Sequence, residues 1–258
     1  MRKALGLYTA VLLASLYVPI AVLVAFSFNA SKHGVTWTGF TLGWYGELAR
    51  DGQVLNELKN TVVIAAASTV LATVLGTLAA LAARSHFRGK RLYATLVSLP
   101  VMIPDIVLAC ALYAMFDAVR MSPSLTNAVL GHTTFNLAYV AVVVSARLQG
   151  MDRSVELAAQ DLGASPWEAF WKVTLPAILP GILAGAVLAF TLSLDDFVVT
   201  YFTTGPGDAT LPVRIYSMVR FGVTPKMNAV STLILAVSLA LIMLSLRISR
   251  VPVAGGGR

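Results

Sequence analysis

Residues 61–83 read TVVIAAASTVLATVLGTLAALAA, a run without a single charged side chain. A helix of about 20 apolar residues crosses the hydrocarbon core of a bilayer, rising about 1.5 Å per residue. A helix is also the open-ended element that satisfies its own backbone hydrogen bonds in lipid. This stretch therefore predicts a transmembrane helix and sets the class of the fold.

Five further apolar segments of similar length flank this run. They are Leu5–Phe28, Leu92–Phe116, a stretch within Met121–Ala146 that starts near Ala128, about Pro176–Val199, and Met227–Leu246. The first is longer than the core of a cleaved signal peptide, about 7 to 15 residues, so we expect it to be retained as a span. With 57% hydrophobic and 12% charged residues, the chain is predicted to be an all-α integral membrane protein with six transmembrane helices.

The distribution of basic residues orients these spans. With a cytoplasmic N-terminus, the inside segments are 1–4, 84–91, 147–172 and 247–258, and the outside loops are 29–60, 117–132 and 195–226. The inside segments hold twelve of the 19 Lys and Arg residues, although they are shorter in total. Such an excess marks the cytoplasmic side. We therefore expect both termini in the cytoplasm, and we interpret the net charge of +7 as topology rather than nucleic-acid binding.

Several common chemistries have no support in the sequence. Cys110 is the only cysteine, which excludes an internal disulfide and a cysteine-based metal cage. The three histidines, His33, His86 and His132, lack metal-ligand spacing, and we expect them in polar loops or at helix ends. No G-x-x-x-x-G-K-[ST] phosphate-binding loop occurs. We therefore expect no cofactor or metal on this chain, and ATP hydrolysis would have to come from a partner.

The inside loop Arg147–Lys172 carries the signals of two short helices. Val155–Leu162 is a helix-forming run, and Gly163 follows it where a C-cap glycine belongs. The tetrapeptide SPWE at 165–168 then supplies an N-cap serine, a proline at the first helical position and a glutamate at the capping-box position. The second helix is predicted to extend to about Val173.

The predicted helix pair carries apolar side chains on a loop that should lie outside the bilayer core. They are Leu157, Ala158, Leu162, Trp167, Phe170 and Trp171. An exposed patch of this kind marks either a docking site for another protein or an amphipathic linker on the membrane surface. Pro176 and Pro180 are expected to break the chain before it enters the fifth span.

Three carboxylates lie within or at the end of apolar segments. Asp105 follows Pro100 and Pro104, which should kink the third span, and Asp195 and Asp196 end the fifth. Counted along straight helices, Asp105 and Asp195 lie roughly 20 and 27 Å from the cytoplasmic ends of their spans. Burying a carboxylate at such a depth in the bilayer costs free energy, and ionisable residues in transmembrane segments are therefore typical of substrate paths. We therefore predict that they converge on a cavity that selects cations.

Other interpretations of these polar residues remain open. Asp195 and Asp196 could form a polar helix end at the outer interface, and the nearby Ser193 could bond its own backbone instead of the cavity. Trp44 and Tyr45 in the first outside loop could bind an ammonium group through cation–π contacts or anchor the chain at the interface. The residues alone indicate a cationic solute and no more.

The loop LAAQDLGASPWEAFWKVTLPAILP, 157–180, resembles the EAA loop of ABC-importer permeases. Ala158, Ala159 and Gly163 fall in register with that motif, as does the Leu-Pro pair at 175–176. One position departs, because the acidic residue is Glu156 and the position of the family glutamate is Leu157. A shift of one residue turns a carboxylate by about 100° around a helix.

Four further segments resemble PotC/PotI-type permeases of spermidine/putrescine importers, so that the resemblance covers nearly the whole chain. They are NTVVIAAAST at 60–69, SLPVMIPDIV at 98–107, FTLSLDDFVVTYFTTGPG at 190–207 and IYSMVRFGVTPKMNA at 215–229. The resemblance implies a MetI-like type I importer fold in the bacterial inner membrane. It also implies polyamine transport together with a second permease, a homodimeric ATPase that uses ATP and Mg, and an extracytoplasmic solute-binding protein.

The resemblance also assigns parts of the chain. It implies a first span and outside loop over 1–55, a permease core over 56–250 with the EAA loop at 150–176, and a cytoplasmic tail over 251–258. The substrate-path residues, which are predicted from their depth and chemistry and not from the resemblance, are Asp105, Asp195, Asp196, Ser193, Trp44 and Tyr45. The implied ATPase-coupling residues are Glu156, Ala158, Ala159, Asp161, Gly163, Ala164 and Ser165.

Three alternatives compete with polyamine import. The first is an importer permease for another cationic solute, such as an opine, a thiamine-like compound or an amino-acid derivative. The second is an intramembrane aspartyl protease, because GPGD at 205–208 matches one of its motifs, but the required Tyr-Asp dipeptide is absent from the sequence and the segment fits a turn. The third is a secondary transporter, which would be expected to carry an inverted repeat that this sequence lacks.

Overall fold

A computed structural model describes residues 2–31, 36–222 and 224–249, and the described chain is all-α, as predicted. The helices are α1 (Arg2–Phe26), α2 (Gly43–Leu48), α3 (Gly52–Arg84), α4 (Lys90–Met102), α5 (Asp105–Ala118), α6 (Leu125–Gln149), α7 (Arg153–Asp161), α8 (Pro166–Ala169), α9 (Leu175–Asp195), α10 (Val198–Thr203), α11 (Leu211–Phe221) and α12 (Pro225–Ser249). One π-helical turn, Phe170–Thr174, joins α8 to α9. His33 and the predicted tail 251–258 lie outside the described residues.

Helical structure lies at each of the six positions predicted to span the membrane. Four helices are long and apolar enough to cross a bilayer: Gly52–Arg84, Leu125–Gln149, Pro166–Asp195 and Pro225–Leu244. The pair α4 and α5 provides a fifth crossing if it counts as one bent span. The first predicted span falls on α1, whose stretch Val11–Phe26 is apolar but shorter.

The chain divides into two compact units. The first comprises Met1–Leu58 and Leu211–Val237, and the second comprises Lys59–Thr210 and Ser238–Arg258. These units are defined by spatial contacts. The division between residues 55 and 56 that the family resemblance implies therefore stays a prediction.

In the first unit, α2 and the start of α3 pack with α11 and α12 around a small apolar core. The buried side chains of this core are Leu48, Val54, Leu211, Ala229 and Val230. At its edge, the Lys226 ammonium donates to the carboxylates of Glu47 (2.7 Å) and Asp51 (2.8 Å). The hydrogen bond from Lys226 lowers the pKa of Asp51. One lysine therefore ties α12 to α2 and to the start of α3.

In the second unit, α6 approaches α3 and α9 closely because glycines stand at the contacts. A β-carbon on Gly76 of α3 would lie 2.8 Å from the Leu137 carbonyl oxygen of α6. A β-carbon on Gly181 of α9 would lie 2.9 Å from Cβ of Arg147. Small residues let helix backbones approach in membranes, where packing rather than water exclusion drives association. These contacts set α6 between α3 and α9.

The third predicted span is broken rather than straight. α4 ends at Met102, α5 begins at Asp105, and the chain bends by 109° between them. Pro104 has extended backbone (φ −56°, ψ 134°) and no N–H to continue the helix, and Ile103 before it is also extended. The predicted kink at Pro104 is confirmed. Asp105 directly follows this bend, and its depth of roughly 20 Å from the cytoplasmic end stays a prediction.

The entry to the fifth span also differs from the prediction. Pro176 and Pro180 do not break the chain, because 166–195 forms one helix of 30 residues. The π turn at Phe170–Thr174 explains this continuity. A wider turn shifts the carbonyls that face the following residues, so the missing N–H and the ring of Pro176 are accommodated.

The fourth span starts earlier than predicted, so that His132 lies two turns inside helix α6 rather than near its start. Ser124 caps α6 by accepting a hydrogen bond from the Asn127 N–H, so the helix begins at Leu125 instead of near Ala128. His132 therefore lies inside α6, with 1% of its surface exposed. The expectation that it occupies a polar loop or helix end is wrong, whereas His86 does lie in the loop between α3 and α4.

Candidate functional site

The end of α9 gives its two adjacent carboxylates different surroundings. Asp195 is the last residue of α9 and is exposed. Asp196 has extended backbone, and its carboxylate accepts hydrogen bonds from the backbone N–H groups of Val199 (3.4 Å) and Thr200 (2.9 Å). Its side chain is 12% exposed. Asp196 thus accepts hydrogen bonds from the first turn of α10, whereas Asp195 is exposed at the end of α9.

An imidazole from α6 completes the surroundings of Asp196. His132 Nε2 lies 3.2 Å from Asp196 Oδ2 and 2.9 Å from Thr200 Oγ1. The Thr200 hydroxyl in turn lies 3.0 Å from Asp196 Oδ2, to which it donates. A carboxylate buried in this way is stabilised by hydrogen bonds to its charged form. These donors stabilise the negative charge of Asp196, one of the two aspartates at the end of the apolar run.

The same imidazole continues into a chain of hydroxyl groups. His132 Nδ1 lies 2.5 Å from Ser193 Oγ, and Ser193 Oγ lies 3.2 Å from Ser68 Oγ of α3. All three residues are buried. Ser193 therefore bonds side chains of other helices, and the described contacts place it in this network rather than on an open surface.

His132, Thr200 and Ser68 were missed by reasoning from the sequence. His132 is the only histidine in the charge-free run 121–146, and a lone titratable ring in such a run is the signal that could have identified it. Nothing in the sequence pairs it with Asp196, because that contact joins residues 64 positions apart. Thr200 and Ser68 are ordinary in composition and carry no comparable signal.

Asp105 occupies the exposed start of α5, directly after the Pro104 break. In the described part of the chain, no hydrogen bond joins Asp105 to Asp195 or Asp196. The convergence of the three carboxylates on one cavity stays a prediction.

Trp44 and Tyr45 lie in the first unit, where both polar atoms have partners. Trp44 Nε1 donates to the Asn29 carbonyl oxygen (2.7 Å), and the Tyr45 hydroxyl lies 2.7 Å from Ser27 Oγ. The Tyr45 ring also lies against Phe28, with ring centroids 5.4 Å apart. These contacts hold both rings to the end of α1.

The loop between α6 and α9 contains the two predicted helices. Gly163 has φ +95°, and the Ala164 N–H donates to the Ala159 carbonyl oxygen (3.0 Å), which closes a Schellman C-cap. Ser165 and Glu168 form the predicted capping box. At the start of α7, the Ser154 backbone N–H donates to Asp152 and lowers its pKa. Local hydrogen bonds thus fix both ends of the bend.

Glu156, displaced by one residue from the family position, forms an ion pair within the chain. Its carboxylate lies 2.5 Å from an Arg84 guanidinium nitrogen at the end of α3. The two side chains are 19% and 23% exposed, so water screens the pair only in part. The pair ties α7 to α3.

Large apolar side chains remain exposed along the loop. Leu162 is 90% exposed, and Leu157, Trp167 and Trp171 are also exposed. Of the predicted coupling residues, Ala158, Asp161, Gly163 and Ser165 are exposed, whereas Glu156, Ala159 and Ala164 are half-buried. The bend therefore presents an apolar surface beside exposed backbone, which is typical of an interaction site.

The remaining sequence motifs have structural explanations. Gly205–Asp208 forms a turn after α10, with Gly207 at φ +92° and the Asp208 N–H bonded to the Gly205 carbonyl oxygen (3.1 Å). Among the described residues, no group of three or more His, Cys, Asp or Glu could hold a metal ion.

Comparisons with known proteins agree with this arrangement. Residues 72–251 match the family described as "Binding-protein-dependent transport system inner membrane component". The chain is 44% identical to "Putrescine transport system permease protein PotI" of Escherichia coli K12 over 85% of this chain and 81% of that protein. It is 42% identical to "Spermidine/putrescine transport system permease protein PotC" of Haemophilus influenzae over 93% and 94% of the two chains.

Solved structures share the fold at low sequence identity. A bacterial alginate ABC transporter, in complex with its alginate-bound periplasmic protein, matches with a TM-score of 0.66 and 17% identity over 96% of this chain and 95% of that chain. The MetNI methionine ABC transporter in an inward-facing form matches with a TM-score of 0.62 and 21% identity over 82% and 98%. By family match and near-full-length similarity, this chain belongs to the binding-protein-dependent transport system inner membrane components, as a non-catalytic permease subunit of an ABC importer.

Proposed function

We propose that this chain is a permease subunit that carries polyamines, putrescine or spermidine, through an ATP-driven importer. The observation that carries the proposal is the 40–44% identity, over most of the chain, to permeases named for putrescine and spermidine/putrescine transport. Polyamines are flexible chains of ammonium groups separated by methylenes. Exposed carboxylates at breaks in apolar helices suit such a solute because they attract cations at the membrane.

The proposal assigns the chain to a complex. A second, homologous permease would complete the path, a homodimeric ATPase would drive it, and a solute-binding protein would deliver the polyamine from outside. The excess of Lys and Arg in the segments between spans supports cytoplasmic termini in the inner membrane. The exposed bend at 161–165 would then face the ATPase.

The substrate path begins, in this proposal, with Asp195 and Asp105. Both side chains are exposed, and both stand at a helix terminus created by a break in a span. A carboxylate that stays ionised there needs a cation, and a passing ammonium group supplies one. Trp44 and Tyr45 would contribute aromatic faces where the substrate enters, although their polar atoms already bind Asn29 and Ser27.

Coupling to ATP runs, in this proposal, through the loop 150–176. Closure of the ATPase pair would displace α7 and α8, and the path would shift between outward and inward access. Such a shift follows the differential affinity of the ATPase for the two states. Leu162, Trp167 and Trp171 provide the exposed apolar surface for docking.

The deciding experiment measures uptake of radiolabelled putrescine and spermidine by the complete importer in proteoliposomes. Asp105→Ala and Asp195→Ala should each abolish uptake while co-purification with the ATPase persists. Asp117→Ala is the matched control, because Asp117 is also exposed and lies on α5, the helix of Asp105. Normal uptake by both Asp105→Ala and Asp195→Ala would contradict the cation path.

A second candidate substrate is another amine-bearing solute. It is favoured by one relative, "Putative 2-aminoethylphosphonate transport system permease protein PhnV" of Salmonella typhimurium, which is 28% identical over 96% of this chain. An excess of unlabelled 2-aminoethylphosphonate should leave putrescine uptake unchanged if the polyamine assignment is right. Transport of labelled 2-aminoethylphosphonate, with none of putrescine, would replace it.

A further inference from the structure

We propose that His132 is a positioning residue for cation transport, which holds Asp196 inside the protein and leaves Asp195 as the carboxylate that meets the substrate. The inference rests on the proposed function, since it divides the roles of two residues in that same path. The sequence-based prediction placed both Asp195 and Asp196 in the path without deciding which of them faces it, and it gave His132 no role.

The first support is the position of the imidazole among four helices. His132 belongs to α6 and bonds Ser193 of α9 and Thr200 of α10, while Ser193 reaches Ser68 of α3. Asp196 lies between α9 and α10, with Oδ2 at 3.2 Å from the ring. One side chain thus touches both helices on either side of the break that separates the two carboxylates.

The second support is the chemistry of the donors around Asp196. The Thr200 hydroxyl has one proton and donates it to Asp196 Oδ2, so it accepts from the imidazole, and the proton on the facing ring nitrogen lies on Nε2. The Nδ1 atom is then free to bond the Ser193 hydroxyl, which can donate or accept. Asp196 accepts hydrogen bonds from the Val199 N–H and from the N–H and hydroxyl of Thr200, and the His132 Nε2–H lies 3.2 Å from its Oδ2. These contacts hold the Asp196 carboxylate at the start of α10, and only 12% of its side chain is exposed to a solute.

The third support is the close packing of α10 against the turn of α6 that carries His132. A β-carbon on the neighbouring Gly131 would lie 2.9 Å from Val199 Cγ1 of α10. This approach brings the capped end of α10 to the imidazole and limits movement of either helix. The direction of Asp195, one residue before the cap, is set by the same anchored turn.

The consequence is a division of labour between neighbouring residues. Asp196 accepts hydrogen bonds from backbone N–H groups at the start of α10. Asp195 is the carboxylate that contacts the solute. His132 acts on transport only through Asp196, so it is a positioning residue and not a binding residue. Loss of the Nε2 contact should release Asp196 and disorder the presentation of Asp195.

Two substitutions of similar size test which ring nitrogen matters. The amide nitrogen of His132→Gln can reach the place of Nε2, whereas the shorter His132→Asn can replace only Nδ1. We expect His132→Asn to raise the KM for radiolabelled putrescine by about tenfold, the effect of one hydrogen bond to a charged group. His132→Gln should stay within about twofold, and Vmax should change less than KM in both.

Thr133→Val is the matched control, since Thr133 is the buried neighbour of His132 on α6 and its hydroxyl donates to the Val129 carbonyl oxygen of the same helix (2.7 Å). Its KM should match that of the wild type. If His132→Asn and His132→Gln share the wild-type KM, or if Thr133→Val raises it as much as His132→Asn, the positioning role is wrong. Either result would reduce the network to ordinary packing.

A second pair of variants keeps the proposal testable if His132→Asn fails to assemble with the ATPase. Asp195→Asn should raise the putrescine KM at least about tenfold more than Asp196→Asn, because only Asp195 meets the cation. Equal effects would overturn the inference. Normal uptake by Asp195→Asn would instead contradict the proposed cation path itself, so the two failures are distinguishable.

Discussion

The end of α9 and the loop between α6 and α9 each contain an aspartate and a serine that form hydrogen bonds, but the partners of these residues differ between the two regions. At the end of α9, Ser193 is buried and bonds side chains of α6 and α3, and the half-buried Asp196 faces His132 of α6 and bonds the Thr200 hydroxyl of α10. In the loop, Asp152 and Ser165 are exposed and bond backbone groups within three residues of themselves. The first region depends on distant partners, and the second is stabilised locally. A region built from distant partners fails when one partner is lost, whereas a locally stabilised bend can present an open surface.

The largest expected effect separates Asp195 from Asp196. Asp196→Ala should lower the free energy of unfolding in detergent by about 3 to 5 kcal/mol, because it breaks a buried pair and leaves His132 without its carboxylate. Asp195→Ala should change it by less than about 0.5 kcal/mol, since Asp195 is exposed. Chemical denaturation followed by tryptophan fluorescence measures both. Equal losses of stability in Asp196→Ala and Asp195→Ala would mean that Asp196 is no more important to the fold than the exposed Asp195.

The next effect tests the bend of the loop. Gly163→Ala places a β-carbon at φ +95°, at a cost of about 1 to 2 kcal/mol in backbone strain, with no atom within 4 Å to clash. We expect ATP hydrolysis to continue while uptake falls several-fold, because the strained bend no longer presents the docking surface. The ratio of polyamine transported to ATP hydrolysed measures this coupling.

Gly207→Ala is the control for Gly163→Ala. It has nearly the same backbone strain (φ +92°) and equally open surroundings, but it lies in the turn after α10. If both variants lower the coupling ratio equally, the effect comes from strain and not from docking.

A smaller effect is expected at the ion pair between α3 and α7. Arg84→Gln and Glu156→Gln should each cost about 1 kcal/mol or less, and the double variant should cost little more than either alone. A double-mutant cycle on thermal unfolding measures the coupling energy. Additive losses would mean that the two side chains act independently and that α7 is not tied to α3.

The smallest effect concerns the first unit, whose ion pairs are partly exposed. The pKa of Asp51 is lowered in the folded state, so its ionised form stabilises the protein above the unfolded pKa. This contribution is lost as the pH falls through the lowered value. Asp51→Asn should cost about 0.5 kcal/mol near pH 6. The difference from the wild type should shrink as the pH approaches 3, which thermal unfolding at several pH values tests.

Local features were predictable from the sequence because their causes are local. Gly163, Ser165 and Glu168 fix the bend through contacts within a few residues, and the predicted caps are confirmed. Pro104 ends a helix for the same kind of reason, although nothing in the sequence gives the bend of 109°. Long charge-free runs likewise identified the spans.

Features that depend on distant contacts were not predictable. The contact of His132 with Asp196 requires α6 and α9 to approach, which Gly181 and Gly185 permit. The π turn at 170–174 has no signature in the sequence, so Pro176 was expected to break a helix that continues. The depth of Asp105 stays a prediction, because α4, along which it was counted, ends at Met102.

The π turn has a mechanical consequence. Because the π turn accommodates Pro176, Pro166 and Asp195 are the ends of one continuous helix of 30 residues, about 45 Å long. If the ATPase docks beside Trp167, as proposed, this helix connects the docking surface directly with the Asp195 carboxylate at its other end. Movement of the ATPase and binding of the cation would then occur at opposite ends of the same helix.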